Sequence, residues 1–265
     1  MKRRTFLALG TAGAAAVVGG EILFPASSAE AASKLPLPQV GEVFSTIRPR
    51  DIIHRPTRIA FLGKDVRKLK IFSPVRGGTA RMQNRNSYGF RAHWQEMEPI
   101  EVFLTANIGT YAQAKAEAQR HLDALCRIPY RFRKHVHKIT IQPGQGVARG
   151  GTGEIFSFAK QHSTFNGFQS MMFHEVGHSV ERAFTPQQKK LWERATKADQ
   201  NAAPRFNGAL TTYARKNPRE GFASAVVPWY SLRKYPGRLT PQQRQFIREQ
   251  MPNRRRFLNN HFPVK

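Results

Sequence analysis

The chain has 265 residues, of which 43 are Lys or Arg and 17 are Asp or Glu, so its formal net charge is +26 at pH 7. Such a charge predicts an anionic partner, such as an anionic cell-wall or lipid surface. No nucleic-acid-binding module can be read, and aromatic residues do not alternate with basic ones as a base-stacking platform requires, so we expect no specific nucleic-acid partner. The single cysteine, Cys126, excludes an internal disulfide and leaves any metal site to His and carboxylates.

Residues 1–31 have the pattern of an export signal. A basic run at 2–4 precedes an apolar stretch at 6–18, and the small-x-small sequence at 29–31 offers a cleavage site. The apolar stretch is too short to span a bilayer and no second long apolar run follows, so we expect no transmembrane anchor. The paired arginines resemble a twin-arginine signal, which exports folded proteins, with an ordinary secretory signal as the alternative. The sequence therefore predicts a secreted, extracytoplasmic protein.

Residues 32–97 are predicted to form an N-terminal arm and extension. Prolines punctuate 32–50, which favours extended backbone. Short strand patterns at 58–62 and 68–72 lie among Gly and Pro turns. We assign the remaining residues, 98–265, to one domain.

Strand and helix patterns become regular from residue 99 onward. A segment at 99–106 has apolar residues at every second position, which is the period of a strand, and further strands are predicted at 137–144 and 153–160. Thr as N-cap with Gln three residues later forms a capping box. That pattern predicts three helix starts, at 110–113, 185–188 and 240–243.

The sequence HEVGH at 174–178 lies within a further predicted helix. His174 and His178 are four residues apart, which places both imidazoles on one helical face, and Glu175 follows the first of them. Zinc hydrolases place two imidazoles on the ion and a carboxylate beside the attacking water in this way. Gly177, in the middle of the helix, costs about 1 kcal/mol relative to Ala and predicts a closely packed neighbour.

A hydrolytic zinc site uses three protein ligands and leaves one position for water. A third His six residues after the motif, as in metzincins, is excluded because Phe184 stands there and Glu181 replaces the required glycine. A glutamate on a later helix is the other common ligand, and Glu220 stands at the start of a helix predicted to end at Pro228. The Asn-Pro pair at 217–218 offers an alternative, in which Glu220 completes a capping box.

The HEVGH motif, followed by Tyr213, Asn-Pro at 217–218 and Glu-Gly-Phe-Ala at 220–223, resembles the catalytic domain of the anthrax lethal factor family. That family of gluzincins, which also includes the secreted Pro-Pro endopeptidases, shares an H-E-x-x-H helix and a tyrosine seven residues before the glutamate ligand. The resemblance covers about residues 98–250. It implies an α+β, zincin-like (gluzincin) metallopeptidase domain, with a small mixed sheet packed on the HExxH helix and a helical C-terminal half.

The resemblance implies a role for each matching residue. His174, His178 and Glu220 would be the ligands of one catalytic Zn²⁺. Glu175 would act as the general base that polarises the water and passes its proton to the leaving amine. Tyr213 would donate a hydrogen bond to the oxyanion. The alternative for Tyr213 is a core or surface tyrosine in a turn.

One position departs from the gluzincin pattern. Many of these enzymes place a carboxylate four residues after the ligand glutamate, where it holds a ligating His by a hydrogen bond, and here Ser224 stands there. A hydroxyl would orient the imidazole less strongly, which predicts weaker metal affinity or a lower rate. Glu181, one turn beyond His178, is a candidate substitute, but we expect a solvent-exposed glutamate there.

Together these features predict a secreted zinc-dependent endopeptidase, expected to be a monomer, whose substrate is an acidic or envelope-associated protein or peptide. A strand at 153–159 is expected to form the sheet edge beside the cleft and to pair with an extended substrate. The alternative is a basic cell-envelope-binding protein with a vestigial or structural zincin site. His135 and His137 alternate on a predicted basic edge strand, and Cys126 is expected to be a small buried core residue.

Overall fold

The computed structural model describes residues 41–64, 69–72, 80–83, 87–105, 108–159, 164–206, 208–216 and 220–264. The predicted export signal, residues 32–40 of the predicted arm and the Asn-Pro pair at 217–218 lie outside the described residues. Within the described ranges, no helix is both long and apolar enough to cross a membrane.

The strands of these ranges are β1 (Arg58–Lys64), β2 (Leu69–Phe72), β3 (Ala80–Gln83), β4 (Ser87–His93), β5 (Ile100–Thr105), β6 (Lys138–Gln142), β7 (Arg149–Gly151) and β8 (Glu154–Phe158). Six of them form one mixed sheet in the order β1-β4-β5-β6-β8-β7, and β2 pairs with β3 separately. β6 runs parallel to both β5 and β8, whereas the remaining pairs are antiparallel.

The helices are α1 (Tyr111–Leu125), α2 (Tyr130–Arg133), α3 (Phe165–Arg182), α4 (Pro186–Ala202), α5 (Thr212–Lys216), α6 (Gly221–Lys234), α7 (Pro241–Gln250) and α8 (Pro252–His261). α1 and α2 connect β5 to β6, and the other six follow the last strand of the sheet. The C-terminal half is therefore helical and the class is α+β, as predicted. The three capping boxes are also confirmed, at the starts of α1, α4 and α7.

The sheet crosses the boundary predicted at residue 98. β4 pairs antiparallel with β5, which places Phe90 opposite Val102, and β1 pairs with the other side of β4. Phe90 and Val102 are both buried in the core. Residues 58–64 and 87–93 thus belong to the same sheet as the strands after residue 98, because β5 satisfies its backbone and covers its apolar side chains by pairing with β4.

The predicted end of a helix at Pro228 is wrong, because α6 continues through that residue to Lys234. Proline inside a helix removes one hydrogen bond and costs about 3 kcal/mol. The residues that follow it, Trp229 and Tyr230, are at most 1% exposed. Burying two large aromatic side chains contributes several kcal/mol, which offsets the cost of the proline.

The prediction of a strand carrying His135 and His137 is also wrong. His135 lies in the turn after α2, and the backbone N–H of His137 donates to the Gly153 carbonyl oxygen at 2.7 Å, just before β6 begins. The residues just before His135 form the four-residue helix α2 and its following turn, so they do not extend the strand. Alternating histidines over so short a stretch carry little information about strand formation.

α3, which carries HEVGH, packs against α6. A Cβ on Gly177 would lie 2.8 Å from the Cα of Ala223, closer than side chains pack, so the predicted close approach of a neighbour is confirmed. Phe173 and Val176 of the same helix are fully buried. Core packing thus fixes the rotation of α3 and leaves its histidine face toward the start of α6.

His121 on α1 is buried completely between helix and sheet, with Cys126 in the same core. Its Nδ1 lies 3.0 Å from the Glu117 carbonyl oxygen and its Nε2 lies 2.9 Å from Ser157 Oγ on β8. The carbonyl accepts from Nδ1–H, so Nε2 accepts from the Ser157 hydroxyl and the ring is neutral. Burial lowers the pKa of His121 to about 3, although the Glu117 carbonyl opposes the shift.

The stability of the fold is expected to fall below pH 6.5 because of His121. The unfolded chain binds a proton at this ring near pH 6.5, whereas the folded chain does not until about pH 3. Between those values the unfolded state holds more protons, so the free energy of unfolding decreases as the pH falls, by about 2 kcal/mol at pH 5. Urea unfolding at pH 7.5 and 5 should show this loss in the wild type and a smaller loss in His121→Gln.

The matched control is His93→Gln, at a half-buried histidine on β4. If His121→Gln loses as much stability between the two pH values as the wild type and His93→Gln do, the burial of a neutral imidazole does not govern the acid response.

Candidate metal centre

Two imidazoles converge on one face of α3. The helix begins after Thr164, whose Oγ1 accepts from the Gly167 N–H at 3.1 Å, and it runs without interruption through the motif. The rings of His174 and His178 have centroids 4.8 Å apart with planes at 87°. Their side chains are 22% and 18% exposed, so both are covered on most sides but still reach solvent.

Glu220 completes the group from the start of α6. Its Oε2 lies 3.1 Å from His174 Nε2 and 2.9 Å from His178 Nε2. The ligand atoms of the three side chains all lie within 4.8 Å of one another, so the group could hold a metal ion. Glu220 directly precedes α6 and makes no hydrogen bond as its N-cap, while the capping-box alternative depends on residues 217–218, which lie outside the described residues.

The charged forms of Glu220 and of the imidazoles stabilise one another. Burial alone would raise the pKa of Glu220, but hydrogen bonds from His174 and His178 hold that pKa well below its usual range. Burial lowers the pKa of His178, but the carboxylates of Glu220 and Glu175 outweigh it, so the net shift is upward. An ionised carboxylate with two imidazoles bound to it would also favour the binding of a cation.

Glu175 lies beside the histidines and is 6% exposed. Burial raises the pKa of its carboxyl group, while the two imidazoles and a hydrogen bond from the Gly150 backbone N–H oppose the shift. A Cβ on Gly150 would lie 2.3 Å from the Glu175 carbonyl oxygen. Only glycine therefore lets β7 approach α3 closely enough for its N–H to hold this carboxylate.

The strand that borders the site is β7 and not the predicted 153–159. β8 (Glu154–Phe158) lies inside the sheet between β6 and β7, so its backbone is already paired on both sides. The segment that precedes it, Arg149–Gly151, folds back as a hairpin and takes the edge. The sequence did not indicate this because three residues rich in glycine carry no strand period.

Tyr213 lies at the same group. It belongs to the short helix α5, and its hydroxyl donates to Glu220 Oε1 at 3.2 Å. Its ring centroid is 6.4 Å from that of His174. The phenol thus lies beside the three side chains and contacts Oε1 of Glu220, whereas both imidazoles contact Oε2.

The two residues considered for support of the ligands are Ser224 and Glu181. Ser224, one turn into α6, is 8% exposed. Glu181 is half-buried and not solvent-exposed as expected. Burial raises the pKa of Glu181, and His178 is the first of the charges that oppose the shift. A further carboxylate besides that of Glu220 therefore interacts with His178, and it comes from the same helix, α3.

A second group of chemically capable side chains exists away from this site. Ser157, His121 and Glu117 follow one another as hydroxyl, imidazole and carboxylate, with 3.3 Å between His121 Nδ1 and Glu117 Oε1. Both Ser157 and His121 are fully buried, so no substrate could reach the hydroxyl. No pattern in the sequence indicated this group, because Ser157 on β8 joins the α1 pair of Glu117 and His121 from 36 residues beyond His121.

Comparison of the chain with protein-family models, with curated proteins and with solved structures returned no match. The class of the protein is therefore described by its fold and its candidate site alone. The chain is an α+β protein with a mixed sheet, and among its described residues a pair of histidines and one glutamate form a group that could hold a metal ion.

Proposed function

We propose that the protein is an exported zinc-dependent endopeptidase with a zincin-like catalytic domain. The observation that carries the proposal is the convergence of His174, His178 and Glu220, with the carboxylate of Glu175 buried beside them. The resemblance of HEVGH, Tyr213 and Glu220 to the lethal factor-like gluzincins supports the same conclusion from the sequence. The basic surface suits an acidic substrate or an anionic cell envelope.

The donor set fits zinc. Two imidazole nitrogens and one carboxylate oxygen are the ligands of one common class of catalytic zinc site, and they leave one coordination position for water. When bound, Zn²⁺ would lower the pKa of a water molecule to about 7 and polarise the carbonyl of the scissile bond. A structural zinc would need four converging protein ligands, whereas three donor atoms converge in the group formed by the described residues.

Glu175 is placed to move the protons of the reaction. Its position directly after His174 directs its carboxylate beside the ligand face, and the Gly150 N–H holds it there. A carboxylate in this place accepts a proton from the attacking water and delivers it to the amine that leaves. General acid–base catalysis of this kind contributes about 10²–10⁴-fold to the rate.

Tyr213 is placed to stabilise the charge that develops on the substrate. Its hydroxyl donates to Glu220, so the donor is already at the site. As the peptide carbonyl becomes tetrahedral, the same hydroxyl can donate to the oxyanion. β7, at the sheet edge next to Glu175, offers backbone groups with which an extended substrate can pair.

The proposal is tested by mass-spectrometric mapping of cuts in a diverse peptide library with zinc-loaded wild type and with Glu175→Gln. We expect cuts by the wild type and a loss of rate of about 10²–10⁴-fold in the variant, because Gln cannot accept the proton. Zinc content must be equal in both, since Glu175 is not a proposed ligand. Cuts that persist at the wild-type rate in Glu175→Gln would refute the assignment.

The rival is a basic envelope-binding protein whose site is vestigial or structural, and Ser224 in place of a carboxylate favours it. That function predicts stoichiometric zinc with no cut in any peptide by wild type or variant. Zinc binding alone does not separate the two functions, so the comparison depends on hydrolysis.

A further inference from the structure

The face of α3 that carries the histidines continues to the end of the helix. His174, His178 and Arg182 stand at i, i+4 and i+8, which places them in one row. With a rise of 1.5 Å per residue, the Cα atoms of His178 and Arg182 are about 6 Å apart along the helix axis. An extended peptide advances about 3.3 Å per residue, so this distance corresponds to about two substrate residues.

The Arg182 side chain lies against the edge strand of the sheet. A Cβ on Gly151 would be 2.8 Å from Arg182 Nε and 3.2 Å from its Cδ, so the arginine passes directly over the Gly151 Cα. Gly151 has φ of +145°, a conformation that favours glycine. Its neighbour Gly150 is the residue whose N–H holds Glu175. The guanidinium therefore stands one strand residue away from the proposed general base.

The guanidinium is available for a ligand. Arg182 is exposed, and the charge of the half-buried Glu181 that precedes it on α3 acts on it, while the carboxylate of Glu220 is engaged by both histidines. A guanidinium offers a planar fork of donors that matches a carboxylate with two parallel hydrogen bonds. The net charge of +26 adds a general attraction for acidic chains, and Arg182 would convert it into a preference at one position.

We infer that Arg182 and the Gly151 backbone form a subsite for a substrate carboxylate. The enzyme would then prefer a peptide with Asp or Glu one or two residues from the scissile bond. This inference rests on the function proposed above, because the position is defined relative to Glu175 and the two histidines.

The test uses a cleavable peptide in which each position near the scissile bond is in turn Asp, Asn or Lys. For the wild type we expect kcat/KM to be about tenfold higher with Asp than with Asn at one position, the size of a partly exposed charge-assisted hydrogen bond. Arg182→Ala should abolish the ratio, and Arg182→Glu should favour Lys at that position. Arg58→Ala is the matched control, because β1 lies at the opposite edge of the sheet, about 24 Å from β7.

A wild type without an Asp preference, or a preference that Arg182→Ala leaves intact, overturns the subsite. The same holds if Arg58→Ala reduces the preference as much as Arg182→Ala does, since net charge alone would then explain it. Binding of fluorescent Asp and Asn peptides to the zinc-loaded Glu175→Gln protein separates this inference from the proposed function. Cleavage without Asp preference refutes only the subsite, and Arg182-dependent selective binding without wild-type cleavage refutes only the peptidase.

Discussion

Glu220→Ala is expected to lower the affinity of the protein for Zn²⁺ by more than about 100-fold. Removing a residue that merely supports a ligand typically costs about 10–100-fold, and Glu220 is proposed as a ligand itself. Its Oε2 is within 3.1 Å of both imidazoles, so alanine leaves two histidines without their anionic partner. Competition between the metal-free protein and a chromophoric zinc chelator measures the change.

The control for this experiment is Glu249→Ala, at an exposed glutamate on α7 whose carboxylate accepts from Gln245. It removes the same charge from the protein and should leave the zinc affinity at the wild-type value. Equal zinc affinities for Glu220→Ala and Glu249→Ala would show that the metal is held elsewhere and would remove the basis of the proposed function.

The largest effect on stability is expected for Asp199→Asn, at about 3–5 kcal/mol. Asp199 on α4 is fully buried and pairs with Arg254 on α8, with 2.8 Å between Oδ2 and Nε. The same carboxylate accepts the backbone N–H groups of Asn253 and Arg254 at 2.7 and 3.1 Å. It therefore caps the start of α8 from another helix and neutralises a guanidinium whose pKa burial lowers. Asparagine keeps the shape but leaves the buried charge of Arg254 uncompensated.

Urea unfolding at pH 7.5 measures this loss, and Asp123→Asn is its control. Asp123 pairs with Arg55 at 3.7 Å where both side chains are partly exposed, at 30% and 63%. Exposed pairs of this kind contribute about 0–1 kcal/mol. A loss for Asp199→Asn no larger than that for Asp123→Asn would mean that water or a rearranged side chain satisfies Arg254 in the variant.

Asp199 is also connected to the candidate metal centre, through Arg254 and the segment that precedes Tyr213. Arg254 donates to the Gly208 carbonyl oxygen, and Gly208 has a positive φ of 67°. That contact ties α8 to the loop from which α5 and Tyr213 follow. No local pattern in the sequence connects residues 199, 208 and 254, because the contacts join three segments that only packing brings together.

Much of the secondary structure could be predicted because its causes are local. A capping box needs only a Thr and a Gln three residues apart, and each of the three that were predicted starts a helix. Strand alternation in 99–106 likewise appears as β5, Ile100–Thr105. The sequence predicted that a helix ends at Pro228, but the helix continues. Burial of the neighbouring aromatic residues offsets the free-energy cost of the proline, and this burial depends on tertiary packing that helix propensity does not include.

The histidine face of the candidate site could be derived from the sequence without any tertiary information. Four-residue spacing on a helix places His174 and His178 together whatever the rest of the chain does. Glycine at 177 likewise required a close neighbour, and α6 supplies it. Glu220 was a candidate with two open interpretations, since a glutamate near a helix start serves equally as a cap.

Which carboxylates stand near those histidines depends on tertiary packing. Glu220 reaches them from 46 residues away along the chain, because α6 packs on Gly177 and directs its first turn at the ligand face. Gly150 holds Glu175 because β7 folds back to the sheet edge and contacts α3 without a side chain between them. Such contacts depend on how helices and strands pack across long sequence separations, and a residue pattern that extends over a few turns carries no information about them.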